Sequence, residues 1–105
     1  MKRKILVSIT SRASFARFES AIREIQNNKN LELLLAISSS FLSNKYSSFE
    51  KINKKMKLNN IYKIQNLFEE DNISAAAKTT GLLTLELATL IDNYNPDIVV
   101  TIADR

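Results

Sequence analysis

The sequence contains no cysteine and no histidine. Those two absences exclude a disulfide scaffold, a thiol nucleophile, a catalytic imidazole and the usual zinc sites. It contains one glycine, Gly81, and one proline, Pro96. Sharp turns are therefore few, and the chain is expected to run in long regular elements. No apolar stretch approaches the roughly 20 residues of a membrane-spanning helix. The basic opening Met1-Lys2-Arg3-Lys4 resembles the start of an export signal, but the apolar stretch behind it runs only from Ile5 to Ile9 and includes Ser8. That is shorter than a signal core, so it reads as the lead into a buried strand. The cytoplasm is the expected compartment, with no membrane partner.

What is present is a chain of 105 residues, 45% hydrophobic and 25% charged, the size and composition of about one globular domain. That apolar fraction is too high for intrinsic disorder. The net charge of +4 hides an asymmetry: residues 1–63 carry a balance of +9 and residues 64–105 a balance of −5. A basic half fits either a polyanionic partner or a solvated Lys- and Asn-rich surface. Lys51, Lys54, Lys55 and Lys57 sit in one segment with no interleaved aromatics. The solvated surface is the better reading, and no nucleic-acid partner is expected.

Hydrophobic periodicity lays out the elements. Lys4 to Ile9 is a short β-branched run without polar alternation, the pattern of a parallel strand buried on both faces. Phe15, Phe18, Ile22 and Ile25 recur at helical spacing behind Ser14, which is placed as the N-cap. Asn27, Asn28 and Asn30 close that helix. Leu31 to Ile37 is a second strand, broken by Ser38-Ser39-Ser40. A basic helix is predicted over Lys45 to Met56 and a weaker strand over Asn60 to Ile64. The acidic turn Glu69-Glu70-Asp71 suits the positive end of a helix dipole. The longest helix, Ile73 to Tyr94, carries a main apolar stripe of Ile73, Ala76, Ala77, Leu83, Leu87, Leu90, Ile91 and Tyr94, and a second of Leu82, Leu85 and Ala88. Gly81 inside it suggests close packing against a neighbour. Asn95-Pro96 stops it, and Asp97 to Ile102 is the fourth strand.

The order β-α-β-α-β-α-β predicts a Rossmann-like α/β fold with a parallel sheet and right-handed crossovers. In such sheets ligands bind at the carboxyl ends of the strands, where the strand order reverses. In the order 3-2-1-4 the reversal falls between the first and fourth strands. Their carboxyl ends carry Thr10-Ser11-Arg12-Ala13-Ser14 and Ala103-Asp104-Arg105. The first loop has no glycine, so it is neither a dinucleotide fingerprint nor a Walker loop. It still leads into a helix N-terminus suited to a phosphate, and Arg12 fits a charge-assisted contact to it, or a surface pairing with Asp104. Asp104 fits a general acid/base, a ribose acceptor, a metal ligand or a strand-end cap. Ser38-Ser39-Ser40 either line the site from the second strand or form an ordinary Ser-rich turn.

Three blocks resemble the N-terminal part of UDP-N-acetylglucosamine 2-epimerases, nearest the hydrolysing kind used in sialic-acid-type sugar synthesis. MKRKILVSITSRASFARFESAI resembles the family's opening strand, its S/T/N-R-A-D/E-Y loop and its first helix. LELLLAISSSFLSNKY resembles the second strand, the G-S/M-H-L turn and the Tyr after it. AAAKTTGLLTLELATLIDNYNPDIVVTIADR resembles the helix, the N/K-P-D-I/L-V strand and the H-G-D-R motif. The resemblance implies a glycosyltransferase-B type enzyme, of which residues 1–105 are a partial first Rossmann-like domain with the second domain absent. It implies that Arg12 contacts the nucleotide diphosphate, that Asp104 is catalytic, that Arg105 contacts the nucleotide and that Ser40 stands at the substrate. The implied reaction removes the C2 proton of a UDP-amino sugar with anti elimination of UDP. Water then adds to the glycal to give the 2-epimer. Carboxylates do this work, with no redox cofactor and no metal. Full-length members are expected to be homo-oligomers.

The sequence departs from that pattern at defined places. Ile102-Ala103 stand for the family's His-Gly, Ser39-Ser40-Phe41-Leu42 for its Gly-Ser-His-Leu, and Ser14 for the acidic residue after Arg-Ala. Each glycine replacement adds a Cβ where backbone would approach a ligand. The changes fit a branch acting on a modified amino sugar, or a decayed copy. The 105 residues alone are expected to be inactive. The alternatives are a stand-alone flavodoxin-like binding module and a glycosyltransferase-B half-domain with transferase chemistry.

Overall fold

The structure, a computed structural model, describes residues 2–10, 12–38, 53, 60–64 and 72–101. Four strands and two helices fall in that set: β1 (Arg3–Ile9), α1 (Arg12–Asn27), β2 (Leu31–Ser38), β3 (Ile61–Ile64), α2 (Ile73–Tyr94) and β4 (Ile98–Thr101). The basic helix expected over 45–56 and the acidic turn 69–71 lie outside the described residues, apart from Asn53, which is helical.

The sheet order is β3-β2-β1-β4, and every pairing is parallel. The register sets Val7 beside Leu35 and Val100, and Ser8 beside Ala36 and Thr101. Alternation along each strand divides the apolar residues between two layers. Ile5, Val7, Ile9, Leu33, Leu35 and Ile37 pack with Phe15 and Ile22 of α1. Leu6, Ala36 and Ile64 pack with Leu90 of α2, and Leu34, Leu83 and Leu87 surround them. The β1–β2 and β3–β4 crossovers run in opposite directions across the sheet. Right-handed connections then put their helices on opposite faces, where α1 and α2 are found.

Helix boundaries depart from the sequence reading in instructive ways. α1 begins at Arg12, so Ser14 lies within its first turn instead of capping it. Ser38 ends β2 as a strand residue instead of breaking it. The cap of α2 is Asn72, whose side-chain Oδ1 accepts from the Ala75 N–H at 2.7 Å. At the other end Asn95 takes the left-handed conformation, φ 56° and ψ 58°, and its N–H donates to Ile91 O at 2.8 Å. Asparagine tolerates that geometry, and Pro96 follows it, as helix stops commonly do. Asn72→Ala is expected to cost about 1 kcal/mol of stability by orphaning the first-turn donor. A urea titration followed by helical ellipticity measures it, and an unchanged midpoint contradicts the cap.

The packing face of α2 also differs. Ala75 and Leu90 are buried and Leu83 and Leu87 half-buried, so the seam runs through positions 75, 79, 83, 87 and 90. Ile73, Ala76 and Ala77 of the expected main stripe are exposed, as is Leu85 of the second. α2 has more apolar residues than one sheet layer covers, and only the docked geometry selects the covered set. Gly81 is exposed, and a Cβ built there meets nothing within 4 Å. It marks no close approach; it simply lowers helix propensity at an open position.

Candidate functional site at the carboxyl edge of the sheet

β1 lies between β2 and β4, so the strand order reverses between β1 and β4, the place expected from the sequence. The carboxyl ends of the strands there carry hydroxyls. Ser8 is buried near the end of β1, and Thr101 at the end of β4 is its register neighbour. Ser38 closes β2 and is fully buried, and the β1–β2 register, continued by one residue, sets it level with Thr10. Ser8 follows Leu6 and Ser38 follows Ala36 on the α2 side of the sheet. One sheet face thus changes from aliphatic to hydroxyl-bearing as it nears the carboxyl edge. The Ser38 Oγ has no hydrogen-bond partner among the described residues. A buried orphan hydroxyl costs about 1–3 kcal/mol, whereas the methyl of Ala36 fits the same face at no polar cost.

This row offers neutral donors and acceptors. The charged residues marked in the sequence lie beyond it. Arg12 opens α1, directly behind β1, and its side chain lies outside what is described. Ser40, Asp104 and Arg105 all lie outside the described residues. Asp104 follows Thr101 by three residues and Arg12 follows Ile9 by three, so both stand a short step in sequence beyond adjacent strands. Ser8 and Thr101 were not singled out by sequence reasoning. Their signal is a polar residue within an apolar strand run, which by itself does not tell a buried hydroxyl from an exposed one.

The opposite edge of the sheet is built differently. The Tyr94 hydroxyl donates to Glu32 Oε2 at 3.0 Å. The Lys4 ammonium donates to the Tyr94 carbonyl at 3.3 Å and stands 5.2 Å from the centre of its ring. The Lys4 N–H donates to Asp97 Oδ2 at 2.7 Å, and the Asp97 N–H returns to Lys4 O at 2.8 Å. These contacts tie the end of α2 and the lead into β4 to β1 and β2. Burial, the hydrogen bond to Glu32 and the Glu32 and Asp97 charges push the Tyr94 phenol up to about 12. A phenol held above its unfolded value of about 10 stabilises the fold fully below that value, and this contribution is lost as pH rises through the folded value. Titration of tyrosinate absorbance should show one of the three tyrosines ionising late. Stability should fall between about pH 10 and 12 more steeply in the natural protein than in Tyr94→Phe. Equal slopes contradict the Glu32 contact. A polar cleft of roughly 130 Å³ opens at this same edge, between Lys2, Gln26, Leu31, Glu32, Leu33 and Asn60. It lies at the amino-terminal end of the strands, away from the carboxyl ends where the strand order reverses, and its carboxylate, Glu32, is engaged by the Tyr94 hydroxyl.

Comparison with known proteins agrees with the resemblance read from the sequence. No family model matches the chain. A GDP/UDP-N,N′-diacetylbacillosamine 2-epimerase (hydrolyzing) from Campylobacter jejuni subsp. jejuni is 29% identical over 105 residues, 99% of this chain and 27% of the relative. A crystal structure of a UDP-N-acetylglucosamine 2-epimerase superposes with a TM-score of 0.74 at 14% identity, over 94% of this chain and 26% of that one. A crystal structure of a "putative UDP-N-acetylglucosamine 2-epimerase" from Listeria monocytogenes gives 0.75 at 13% identity, over 94% and 24%. The chain therefore spans about a quarter of the length of the proteins it matches. It shares their α/β fold, and its sequence resembles a 2-epimerase along its whole length. No helix among the described residues is long and apolar enough to cross a membrane.

Proposed function

We propose that these 105 residues are the opening part of a hydrolysing UDP-amino-sugar 2-epimerase and supply one wall of its nucleotide-sugar site. The single observation that carries this reading is the β3-β2-β1-β4 order, in which the strands leading to Arg12 and to Asp104-Arg105 are neighbours. Likeness to the Campylobacter 2-epimerase over nearly the whole chain supports it.

In this reading the Arg12 guanidinium and the free N–H groups that open α1 hold the diphosphate, adding charge-assisted hydrogen bonds to the helix dipole. Arg105 makes a second nucleotide contact, and Ser40 lines the sugar side. Asp104 acts as an acid/base group at the sugar. A base takes the C2 proton, the C1–O bond breaks with its electron pair leaving on UDP, and the glycal forms. Water then adds across that double bond, hydroxyl to C1 and proton to the opposite face of C2, which inverts that centre. The substrate is a UDP-amino sugar, and no redox cofactor enters the balance. Likeness to the Campylobacter relative favours a modified amino sugar of the diacetylbacillosamine type over N-acetylglucosamine. A cytoplasmic, homo-oligomeric enzyme of amino-sugar metabolism follows from the same reading.

The test is a chimaera in which this chain replaces the matched quarter of the Campylobacter relative. It should release UDP from UDP-N,N′-diacetylbacillosamine, and more slowly from UDP-N-acetylglucosamine. A folded chimaera that binds neither sugar nor releases UDP from either overturns the proposal. UDP release that needs an added acceptor points to transferase chemistry instead.

A further inference from the structure

The outward face of α2 carries a pattern of its own. The helix docks on the sheet through positions 75, 79, 83, 87 and 90. At about 3.6 residues per turn, Lys78, Gly81, Leu85, Ala88 and Asp92 fall in one stripe on roughly the opposite side. All five are exposed, Leu85 at 69%. Their alternating steps of three and four residues are the spacing of a helix–helix seam. Helices of the same layer lie beside α2 and not over this stripe. Its middle is apolar or small. A Cβ at Gly81 meets nothing of its own chain within 4 Å, which leaves room for another helix to come close.

The two ends of the stripe carry opposite charges. Lys78 and Asp92 stand seven residues to either side of Leu85, about 10 Å along the helix each way. Neither makes an ion pair among the described residues, and the residues three and four positions from each are uncharged. We propose that this stripe docks on the same stripe of a second copy of the chain, antiparallel, about a twofold axis at Leu85. That axis sets Lys78 of each copy level with Asp92 of the other, so the ion pair forms twice, and Leu85 meets Leu85. A parallel pairing sets lysine on lysine and aspartate on aspartate, which is repulsive. The stripe is therefore complementary to itself in one orientation, and that favours a second copy over an unrelated helix. The homo-oligomer proposed above gains a defined surface. It lies on the outer side of α2, apart from the hydroxyl row, so its failure leaves the proposed reaction untouched.

Sedimentation velocity of the 105-residue chain over a concentration series tests it. The mass should rise from one chain to two. Lys78→Asp alone and Asp92→Lys alone should each weaken association by about tenfold or more, because each creates two like-charge contacts. Combining them should restore association, since the pairs return with their signs exchanged. Both positions are exposed, so helical ellipticity should stay the same in every variant. The chain has no cysteine, so Leu85→Cys supplies a single thiol. Mild oxidation should link two chains through it, whereas Tyr62→Cys, exposed on β3, should link none. A chain monomeric throughout overturns the proposal. So does a dimer indifferent to both single changes, or a double variant as weak as the singles. Aggregates heavier than two chains that ignore the charge changes also overturn it, because another surface is then adhesive. Should the 105-residue chain not fold alone, the same charge variants in the chimaera decide by the same results.

Discussion

Asp104→Asn in the chimaera is expected to lower UDP release by about 10²–10⁴-fold, the range for removing a positioned acid/base group. Asparagine keeps the shape of the side chain and removes its ability to exchange a proton. If Asp104 only capped the end of β4, the amide would substitute well and the rate would change little. The fitting control is Asp97, which stands at the other end of β4 and accepts from the Lys4 N–H. Asp97→Asn should reduce stability while leaving UDP release within about threefold, because charge-assisted contacts that lie away from the reacting atoms contribute to the fold and not to the barrier. Rates that fall equally in both variants would assign Asp104 a structural role. A rate retained in Asp104→Asn would remove it from the reaction.

Leu35→Ala is expected to cost about 2–5 kcal/mol, the range for a buried leucine truncated in a packed core. Leu35 is fully buried in β2, lies beside Val7 of β1 and Ile61 of β3, and belongs to the layer under α1. Its neighbours on three strands are held by backbone ladders and cannot collapse into the void. Against a total of about 5–15 kcal/mol for a domain, the loss should shift the urea midpoint strongly. Leu85 supplies the contrast. It is 69% exposed on α2, so Leu85→Ala should change stability by no more than about 0.5 kcal/mol. Equal midpoints for the two variants would mean that the α1 layer is not the core.

The element order was legible because burial on both faces and burial on one stripe leave different periods in a sequence. LELLLAI has the first pattern and became β2, and the Phe15–Ile25 spacing has the second and became α1. Chain stops were legible where one residue type is needed, as at Asn95-Pro96. The start of α1 was not, because Ser11, Ser14 and Arg12 stand within four positions and several of them can open a helix. In α2 almost any face reads as apolar. Ile73 looked like a core residue and is open, while Ala75 is buried.

The candidate site divides the same way. The sequence alone marked Arg12 and Asp104 by their places just beyond apolar strands, and Ser40 and Arg105 through the resemblance to 2-epimerases. It also determined that these 105 residues contribute no thiol and no imidazole, since they contain neither. Which strand ends lie side by side was decided only by the tertiary structure, through the pairing of β1 with both β2 and β4. That pairing gathered Ser8, Thr10, Ser38 and Thr101 along one edge, although they are spread over more than ninety positions of sequence. Among the described residues it left β4 without a partner on its far side. Local periodicity records whether a residue is buried, and the register of distant strands, which no local pattern encodes, settles what it is buried against.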